Sequence, residues 1–357
     1  MTDSETSSLP CVVLFNINGS GMGHLSTCLA YANRLRGRAR PVFFSLASAI
    51  EMIHAMGYEA DYFVSRFWSR ASGWAWDQQL SLRLGLLFER VRPEVVVFDG
   101  TWPYRGLLHA AEACGVPKLV WSNLILYKDG TRAVPIRESK FDLLIRLGEI
   151  GTAFTIDWEG PPRKVTIPPV TLLKDDELLG RDEARAALGL RRESRYALFS
   201  LGPGNLKDVS GIGHGLIGEM KARGYTVVWA RAPISARDVT LPDDVVPIDA
   251  YPLVRFMRAF DVFVGAAGYN TCCEVLQSGV PSLFVPNTQV SDDQTRRAEI
   301  VARATPAVVS PCETSEQRTR AVARLLMLEG DAKVRASKFN LSGAECAADE
   351  ILALIDA

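Results

Sequence analysis

A single histidine follows a glycine-rich stretch near the N-terminus, "NGSGMGHLS" over residues 18–26. Its three glycines, Gly19, Gly21 and Gly23, let the backbone turn sharply and come close to a ligand. The apolar periodicity beyond His24 predicts a helix that begins there, and the positive end of a helix disfavours imidazolium. A neutral imidazole can accept a proton, so the pattern predicts a general base at His24. The alternative is a tight turn in which His24 is an ordinary first-turn residue.

A second candidate side chain, Asp99, directly follows the apolar run "VVVF" over residues 95–98. Such a run predicts a buried parallel strand, and ligands of α/β proteins bind beyond the carboxyl ends of these strands. Asp99 is therefore expected either to orient His24 or to contact an acceptor molecule. The structural alternative is that its carboxylate caps the following turn.

The second half of the chain contains a candidate anion site within residues 260–301. A helix is predicted to begin near Tyr269, after a short loop of small residues. The start of that helix offers N–H and side-chain donors to an anion, from Gly268, Asn270 and Thr271. Glu274 lies one turn further on, where a carboxylate can accept hydrogen bonds from ribose hydroxyls, and Asp293 and Gln294 follow the next strand. This combination predicts a nucleotide diphosphate site, with a capped helix after an ordinary turn as the alternative.

The composition argues against several classes of protein. The chain has 357 residues, a formal net charge of −1 and 48% hydrophobic residues, which predicts neither nucleic-acid binding nor disorder. Its seven cysteines include no CxxC pair and indicate reduced thiols. The polar N-terminus and the lack of an apolar run of roughly 18 residues predict a cytoplasmic protein without a membrane span. No metal site and no bound cofactor are expected.

Short apolar runs alternate with longer amphipathic stretches, which predicts βαβ units and parallel sheets covered on both faces. The expected fold class is α/β, with two Rossmann-like, doubly wound domains that face each other across a cleft. The strands are predicted at residues 11–16, 41–45, 95–98, 118–122, 196–201, 226–230, 246–248, 262–265 and 282–286.

The proline-rich stretch "DWEGPPRKVTIPPV" cannot be the interior of a helix and indicates a division of the chain. We expect a first domain over residues 1–165, a linker over 166–195 and a second domain over 196–340. The amphipathic segment over 341–357 is expected to form a helix that packs back across the cleft.

A segment rich in tryptophan and arginine, "RFWSRASGWAW", precedes a predicted helix in the first half. Trp74 and Trp76 are candidates for stacking on acceptor sugar rings or for contact with a membrane surface. Core packing is the alternative for at least one of these tryptophans.

The stretch that contains the candidate anion site resembles the donor-binding half of the GT-B glycosyltransferases. It is most similar to the inverting group that includes the N-acetylglucosaminyl transferase of peptidoglycan lipid II synthesis. In that family a "GxxTxxE" helix start and a downstream "DxQ" or "DQ" hold the sugar nucleotide; the matching residues here are Gly268, Thr271, Glu274, Asp293 and Gln294. The family's N-terminal "GxGGHxxP" loop is similar to "GSGMGHLS", with Met22 in place of a glycine and Ser26 in place of the proline.

The resemblance implies further donor-binding positions. Gly21 and Gly23 would bring backbone close to the donor sugar. The turn "SLGPGNLKD" matches a glycine-rich loop near the donor phosphates, although Pro203 departs from the pattern. The other positions implied are Gly202, Gly204, Asn205, Arg231 for the diphosphate charge, and Phe256 for the base.

The function implied is that of an inverting, metal-independent glycosyltransferase with an acceptor-binding first domain and a donor-binding second domain. His24 would take the proton from an acceptor hydroxyl. The donor would be a nucleotide sugar, UDP-linked by the family's preference, and serve as a co-substrate. The acceptor would be an envelope saccharide or a lipid-linked sugar, which implies peripheral contact with the inner face of the cell membrane.

Two rival functions remain open from the residues. A nucleotide-sugar hydrolase of the same fold would use His24 to activate water, but such enzymes carry an arginine where Thr27 stands. A non-catalytic nucleotide-sugar binding subunit would keep Glu274 and Gln294 and would not need His24.

Overall fold

The computed structural model of the protein describes residues 9–17, 21–128, 135–157, 162–202, 210–234, 240–288, 292–329 and 339–356. The chain divides into two compact units. The first unit comprises Met1–Leu172 together with Ser342–Ala357, and the second comprises Leu173–Leu341. Each unit is built around one largely parallel sheet with connecting helices, so the predicted α/β class with two Rossmann-like domains is confirmed.

The sheet of the first unit has the strand order β3-β2-β1-β4-β5-β6-β8-β7. Neighbouring strands run parallel except for β7, which runs antiparallel to β8. The strands are β1 (Cys11–Asn16), β2 (Arg40–Ser45), β3 (Glu59–Tyr62), β4 (Val95–Asp99), β5 (Lys118–Leu124), β6 (Leu143–Leu147), β7 (Thr155–Asp157) and β8 (Arg163–Ile167). Because β2 and β4 flank β1 on opposite sides, the carboxyl ends of β1 and β4 form a topological switch point, where α/β proteins bind ligands.

The connecting helices of the first unit are α1 (Gly23–Leu35), α2 (Glu51–Ala55), α3 (Gly73–Val91) and α4 (Arg105–Ala113). A short 3₁₀ helix spans Pro135–Lys140. The β1 strand is apolar over its first five residues and buried along its whole length. This pattern is typical of a central parallel strand in a sheet that has helices on both faces.

The second unit contains a parallel sheet with the order β11-β10-β9-β12-β13-β14. Its strands are β9 (Tyr196–Ser200), β10 (Thr226–Ala230), β11 (Val246–Ile248), β12 (Val262–Gly265), β13 (Ser282–Phe284) and β14 (Ala307–Val309). Its helices are α5 (Arg181–Ala187), α6 (Ser210–Lys221), α7 (Tyr269–Ser278), α8 (Gln294–Ala302) and α9 (Ser315–Leu328), with 3₁₀ helices at Asp175–Glu177 and Leu253–Ala259.

The last helix, α10 (Gly343–Ala353), belongs to the first unit although it follows the second in sequence. It packs against α1, where the Arg34 side chain donates a hydrogen bond to Glu345 at 2.8 Å. Gly343 lets the chain approach closely, because a Cβ there would lie 2.1 Å from the Pro168 carbonyl oxygen. A side chain at this position would force α10 away from Pro168 and Pro169.

The proline-rich segment differs from the linker predicted over 166–195. Its residues Arg163–Ile167 form β8, and the prolines Pro168 and Pro169 come only after that strand ends. The remainder is also structured, since α5 packs against the 3₁₀ helix Leu253–Ala259 in the second unit. Proline is tolerated here because it lies beyond the strand's hydrogen-bonded residues.

Candidate functional site

His24 and Asp99 form a hydrogen-bonded pair at the switch point of the first unit. His24 is the second residue of α1, and Asp99 is the last residue of β4. The His24 Nδ1 lies 2.6 Å from Asp99 Oδ1, and the two side chains are 23% and 3% exposed. Because a carboxylate only accepts hydrogen bonds, this contact places the proton on Nδ1 and leaves Nε2 as an acceptor. The partly exposed ring can therefore present a basic nitrogen to a substrate hydroxyl.

The second oxygen of Asp99 is also occupied. The Ser122 hydroxyl, at the end of β5, donates to Asp99 Oδ2 at 2.6 Å. The chain leaves β4 through Gly100, where a Cβ would lie only 2.7 Å from the Ile17 side chain. This arrangement matches the first predicted alternative, in which Asp99 orients His24, and its role in catalysis stays a prediction.

Gly21 and Gly23 precede His24 directly. Gly23 is the first residue of α1, and Met22 at the N-cap makes no side-chain hydrogen bond to the helix. Gly19, in the same loop, lies outside the described residues.

The start of α7 carries the candidate donor residues of the second unit. Gly268 is the N-cap and has an extended backbone (φ −62°, ψ 155°). Because glycine has no side chain, the first N–H groups of the helix are not capped by this residue. Asn270 and Thr271 lie in the first turn and are partly buried. Glu274 follows one turn later, and burial raises the pKa of its carboxyl to about 8. The helix start and a carboxyl of this kind lie on one short element, as a nucleotide site requires.

Asp293 and Gln294 open α8 nearby in sequence. The Asp293 carboxylate caps the helix by accepting from the Arg296 N–H at 3.0 Å. The Gln294 side chain is 7% exposed, and its Oε1 accepts from the Asn287 N–H at 2.9 Å. Asp293 thus caps α8 and Gln294 holds the loop after β13, and the contact of either side chain with a donor stays a prediction.

Sequence reasoning missed Arg297, which connects these two segments. Its side chain is fully buried, pairs with Asp292 at 2.6 Å and lies 5.7 Å from the centre of the Tyr269 ring. It also donates to the carbonyl of Ala267, at 3.4 Å. Arginine is rarely buried unless it is paired, so its place in "DDQTRRAEIV" gave no signal beyond the acidic residue five positions before it.

The other predicted donor positions fall in different surroundings. Gly202 adopts a left-handed backbone conformation (φ +94°), which favours glycine. Arg231 is 52% exposed and forms an ion pair with Asp249, so a diphosphate would have to compete with that carboxylate. Phe256 is partly buried in the 3₁₀ helix Leu253–Ala259. Gly204 and Asn205 lie outside the described residues.

The prediction that Trp76 contacts an acceptor is wrong. Its side chain is fully buried, its ring centre lies 4.8 Å from that of Tyr104 in an edge-to-face contact, and its indole N–H donates to the Val64 carbonyl at 2.8 Å. Trp74, two residues earlier, is 75% exposed. The two side chains point to opposite faces because a helix turns by about 100° per residue.

No group of three or more His, Cys, Asp or Glu side chains among the described residues is placed to hold a metal ion. None of the helices in the described part of the chain is long and apolar enough to span a membrane.

Comparison with known proteins identifies relatives of both halves. The family model of the Glycosyltransferase family 28 C-terminal domain matches residues 241–351, a range that includes Glu274, Asp293 and Gln294. The UDP-N-acetylglucosamine–N-acetylmuramyl-(pentapeptide) pyrophosphoryl-undecaprenol N-acetylglucosamine transferase of Bacillus licheniformis is 22% identical over 262 residues, which are 70% of this chain and 64% of that relative. The protein of the same name from Rhodococcus erythropolis is 26% identical over 133 residues, 36% of this chain and 34% of that relative. The match thus spans less than two thirds of each of these relatives.

Solved structures show the same fold over nearly the whole chain. The spinosyn forosaminyltransferase SpnP covers 98% of this chain and 100% of its own, with a TM-score of 0.64 and 15% identity. MurG of Acinetobacter baumannii covers 96% and 99%, with a TM-score of 0.59 and 14% identity. The glycosyltransferase VinC, solved in complex with dTDP, covers 97% and 99%, with a TM-score of 0.59 and 16% identity. The predicted resemblance to the GT-B glycosyltransferases is confirmed.

Proposed function

We propose that the protein is an inverting glycosyltransferase that moves a sugar from a nucleotide-sugar donor to a hydroxyl of a saccharide or lipid-linked acceptor. The observation that carries this proposal is the His24–Asp99 pair, which leaves an acceptor nitrogen on a 23% exposed ring. The match to the family 28 C-terminal domain supports the donor half of the assignment.

The chemistry follows from the orientation of His24. Its Nε2 takes the proton of the acceptor hydroxyl while that oxygen forms a bond to the anomeric carbon of the donor sugar. The bond from this carbon to the diphosphate oxygen breaks, and the electron pair leaves with the diphosphate. Attack opposite to the leaving group inverts the anomeric configuration, and the Asp99 carboxylate stabilises the imidazolium that forms.

The donor is bound by the second unit in this proposal. The N–H groups at the start of α7, from Gly268 onward, donate hydrogen bonds to the diphosphate oxygens, and Glu274 accepts hydrogen bonds from the ribose hydroxyls. Stabilisation of the leaving diphosphate by backbone donors makes the reaction independent of a divalent metal. UDP is the proposed nucleotide because the names of the related transferases specify a UDP-sugar.

A screen of UDP-, dTDP-, GDP- and CDP-sugars, with and without EDTA, tests the proposal by thermal shift and product analysis. A UDP-sugar that raises the melting temperature equally in EDTA and persists without an acceptor supports a metal-independent transferase. Rapid release of free sugar that is lost in His24→Gln supports the hydrolase. Binding without turnover in any acceptor mixture supports the binding subunit, and no thermal shift with any donor contradicts the nucleotide site.

We also propose that the first unit contacts a membrane surface through residues 66–86. Phe67, Trp68 and Trp74 are 69%, 50% and 75% exposed there. On α3, Leu82 and Leu86 are 71% and 63% exposed and lie four residues apart, so these two side chains share one face of the helix.

Exposed arginines accompany this apolar surface, at positions 66, 70 and 83. Aromatic and aliphatic side chains bordered by arginines suit the interface of an anionic bilayer. Cosedimentation with phosphatidylglycerol vesicles should fall severalfold in Trp74→Ala and remain unchanged in Met327→Ala, a control with 78% exposure on α9. Equal binding of both variants to the vesicles would contradict the proposed surface.

A further inference from the structure

A row of buried polar side chains crosses the sheet of the first unit. Ser45, Asn16, Asp99 and Ser122 occupy the same register position on the adjacent strands β2, β1, β4 and β5. All four residues are at most 2% exposed. The residue that precedes each of them on its strand is aromatic (Phe44, Phe15, Phe98 and Trp121), and the polar row lies at the carboxyl edge of the sheet, next to His24.

The Asp99 carboxylate accepts hydrogen bonds from Ser122, which belongs to this row, and from His24 on α1. Ser122 donates to Asp99 Oδ2 at 2.6 Å, and the Tyr31 hydroxyl lies 2.9 Å from Ser122 Oγ. Burial and the charge of Asp99 raise the pKa of Tyr31 well above its usual range, so its hydroxyl keeps its proton. Since the Ser122 proton points to Asp99, the Tyr31 proton points to Ser122. Every proton in the chain is therefore directed toward the Asp99 carboxylate.

We propose that Ser122 and Tyr31 are positioning residues, which hold the Asp99 carboxylate in one orientation and set the basicity of His24. The inference rests on the proposed function of His24 as the general base. Hydrogen bonds from Ser122 spread the negative charge of Asp99, which moderates its attraction for the imidazolium. The geometry also fixes which carboxylate oxygen faces His24 and hence the direction of Nε2.

The electrostatic surroundings of the pair are simple. Cys28 and Tyr31 face it from α1, and burial raises the pKa of both groups well above their usual ranges, so both are neutral at ordinary pH. Asp99 faces it from β4, and the β1 neighbour Asn16 is uncharged. Two acidic residues of α10, Glu345 and Asp349, form ion pairs with Arg34 and Arg38. These arginines lie ten and fourteen residues along the chain from His24.

Replacement of Ser122 by alanine removes one donor and leaves the rest of the row in place. The remaining carboxylate attracts the imidazolium more strongly, so we expect the acid limb of the pH profile of kcat/KM to move upward by roughly half a unit to one unit. The value of kcat on the plateau should fall about tenfold, and the KM for the donor should remain unchanged. Tyr31→Phe should shift the limb in the same direction by less, and Ser122→Thr should restore it.

Ser45→Ala is the matched control. Ser45 is also buried at the end of a neighbouring strand, but its hydroxyl accepts from the Asn16 amide at 3.0 Å and does not contact Asp99. Ser45→Ala should therefore leave the acid limb of the pH profile at its wild-type position. If Ser122 and Tyr31 had only a structural role, their variants would behave in the same way. If Ser122→Ala and Tyr31→Phe both fold and both leave the limb unmoved, the proposal is wrong.

A measurement without turnover separates this inference from the proposed function. The histidine ring carbons of the full chain can be labelled and their NMR shifts followed from pH 5 to 9, with His24 assigned by its loss in His24→Gln. An upward move of the His24 titration in Tyr31→Phe and Ser122→Ala supports the positioning role even if no sugar transfer is found. An unchanged titration contradicts it even if the enzyme proves to be a transferase.

Discussion

At the scale of single residues, the central observation is that each oxygen of Asp99 has a different partner. One accepts from His24 at 2.6 Å and the other from Ser122 at 2.6 Å. A carboxylate with two fixed donors cannot rotate without breaking one of them. The direction of the His24 ring is therefore set by the sheet rather than by the loop before α1.

Asp99→Asn should lower kcat by roughly 10²- to 10³-fold, because an amide neither fixes the tautomer of His24 nor stabilises its charged form. The affinity for UDP, measured by calorimetry, should stay within twofold, since the nucleotide is proposed to bind the second unit. A variant with normal kcat would show that His24 acts without Asp99.

Glu274 gives a stability prediction with a defined sign. Its pKa is raised from 4.5 to about 8 in the folded protein, so the folded state binds an extra proton between those values. Stability from this group is full below pH 4.5 and is lost as the pH rises through 8. Glu274→Gln, which stays neutral, should therefore melt higher than the wild type by an amount that grows from pH 5 to pH 9.

The exposed Glu299→Gln on α8 serves as the control for this comparison. It should show a melting-temperature difference that stays constant across the same pH range. A Glu274→Gln difference that is also constant would mean that the Glu274 carboxyl is solvated in the folded protein. At pH 9, where the wild-type carboxyl is ionised, the same variant should bind UDP about tenfold more weakly, because an amide accepts fewer ribose hydrogen bonds than a carboxylate.

At the scale of elements, Arg297 connects α8 to the loop that leads into α7. Its guanidinium is fully buried against Asp292 and the Ala267 carbonyl. Removal of one partner of a buried pair is far costlier than removal of an exposed one. Arg297→Ala should lower the free energy of unfolding by roughly 3 kcal/mol, as measured by urea denaturation.

Arg320→Ala on α9 is the exposed counterpart, because Arg320 and Glu316 are 69% and 79% exposed in their ion pair. Its loss should change the free energy of unfolding by less than about 0.5 kcal/mol. Similar effects of the two substitutions would show that the Arg297 pair contributes little to the second unit.

Two tryptophans at the start of α3 differ in burial: Trp76 lies in the core and Trp74 lies on the surface. Trp76→Ala should destabilise the first unit by roughly 3–5 kcal/mol, because it leaves a cavity among Phe63, Tyr104 and their neighbours. Trp74→Ala should change stability by less than about 0.5 kcal/mol, since that side chain is 75% exposed. Thermal denaturation of both variants distinguishes the two positions, and a small loss in Trp76→Ala would contradict its place in the core.

The elements differed in how well the sequence revealed them. Central strands such as β1 and β4 are continuous apolar runs, and their predicted positions agree with the structure to within one residue. Outer elements such as β3 (Glu59–Tyr62), at one edge of the sheet, and β8 (Arg163–Ile167), next to the edge strand β7, are short, polar or bordered by proline, so local pattern did not reveal them. Their hydrogen bonds come from neighbouring strands, which is information that a local window does not contain.

At the scale of the whole molecule, the proposal requires two units with separate tasks. The match to a glycosyltransferase C-terminal domain covers residues 241–351, whereas the His24 pair belongs to the first unit. The spacing of glycines and histidine led to the proposed base, and the helix start led to the proposed donor site; both stay predictions. The partners Ser122 and Arg297 come from distant parts of the chain and emerge only in the folded structure.

The most direct test compares sugar transfer by the wild type and by His24→Gln, with UDP-sugars and a mixture of saccharide and lipid-linked acceptors. Transfer is followed by mass spectrometry of the products, and UDP binding by calorimetry. We predict an inverted glycoside from the wild type, a loss of at least roughly 10²-fold in His24→Gln, and equal UDP affinity in both. Transfer that survives in His24→Gln at the wild-type rate would contradict the assignment of His24 as the general base.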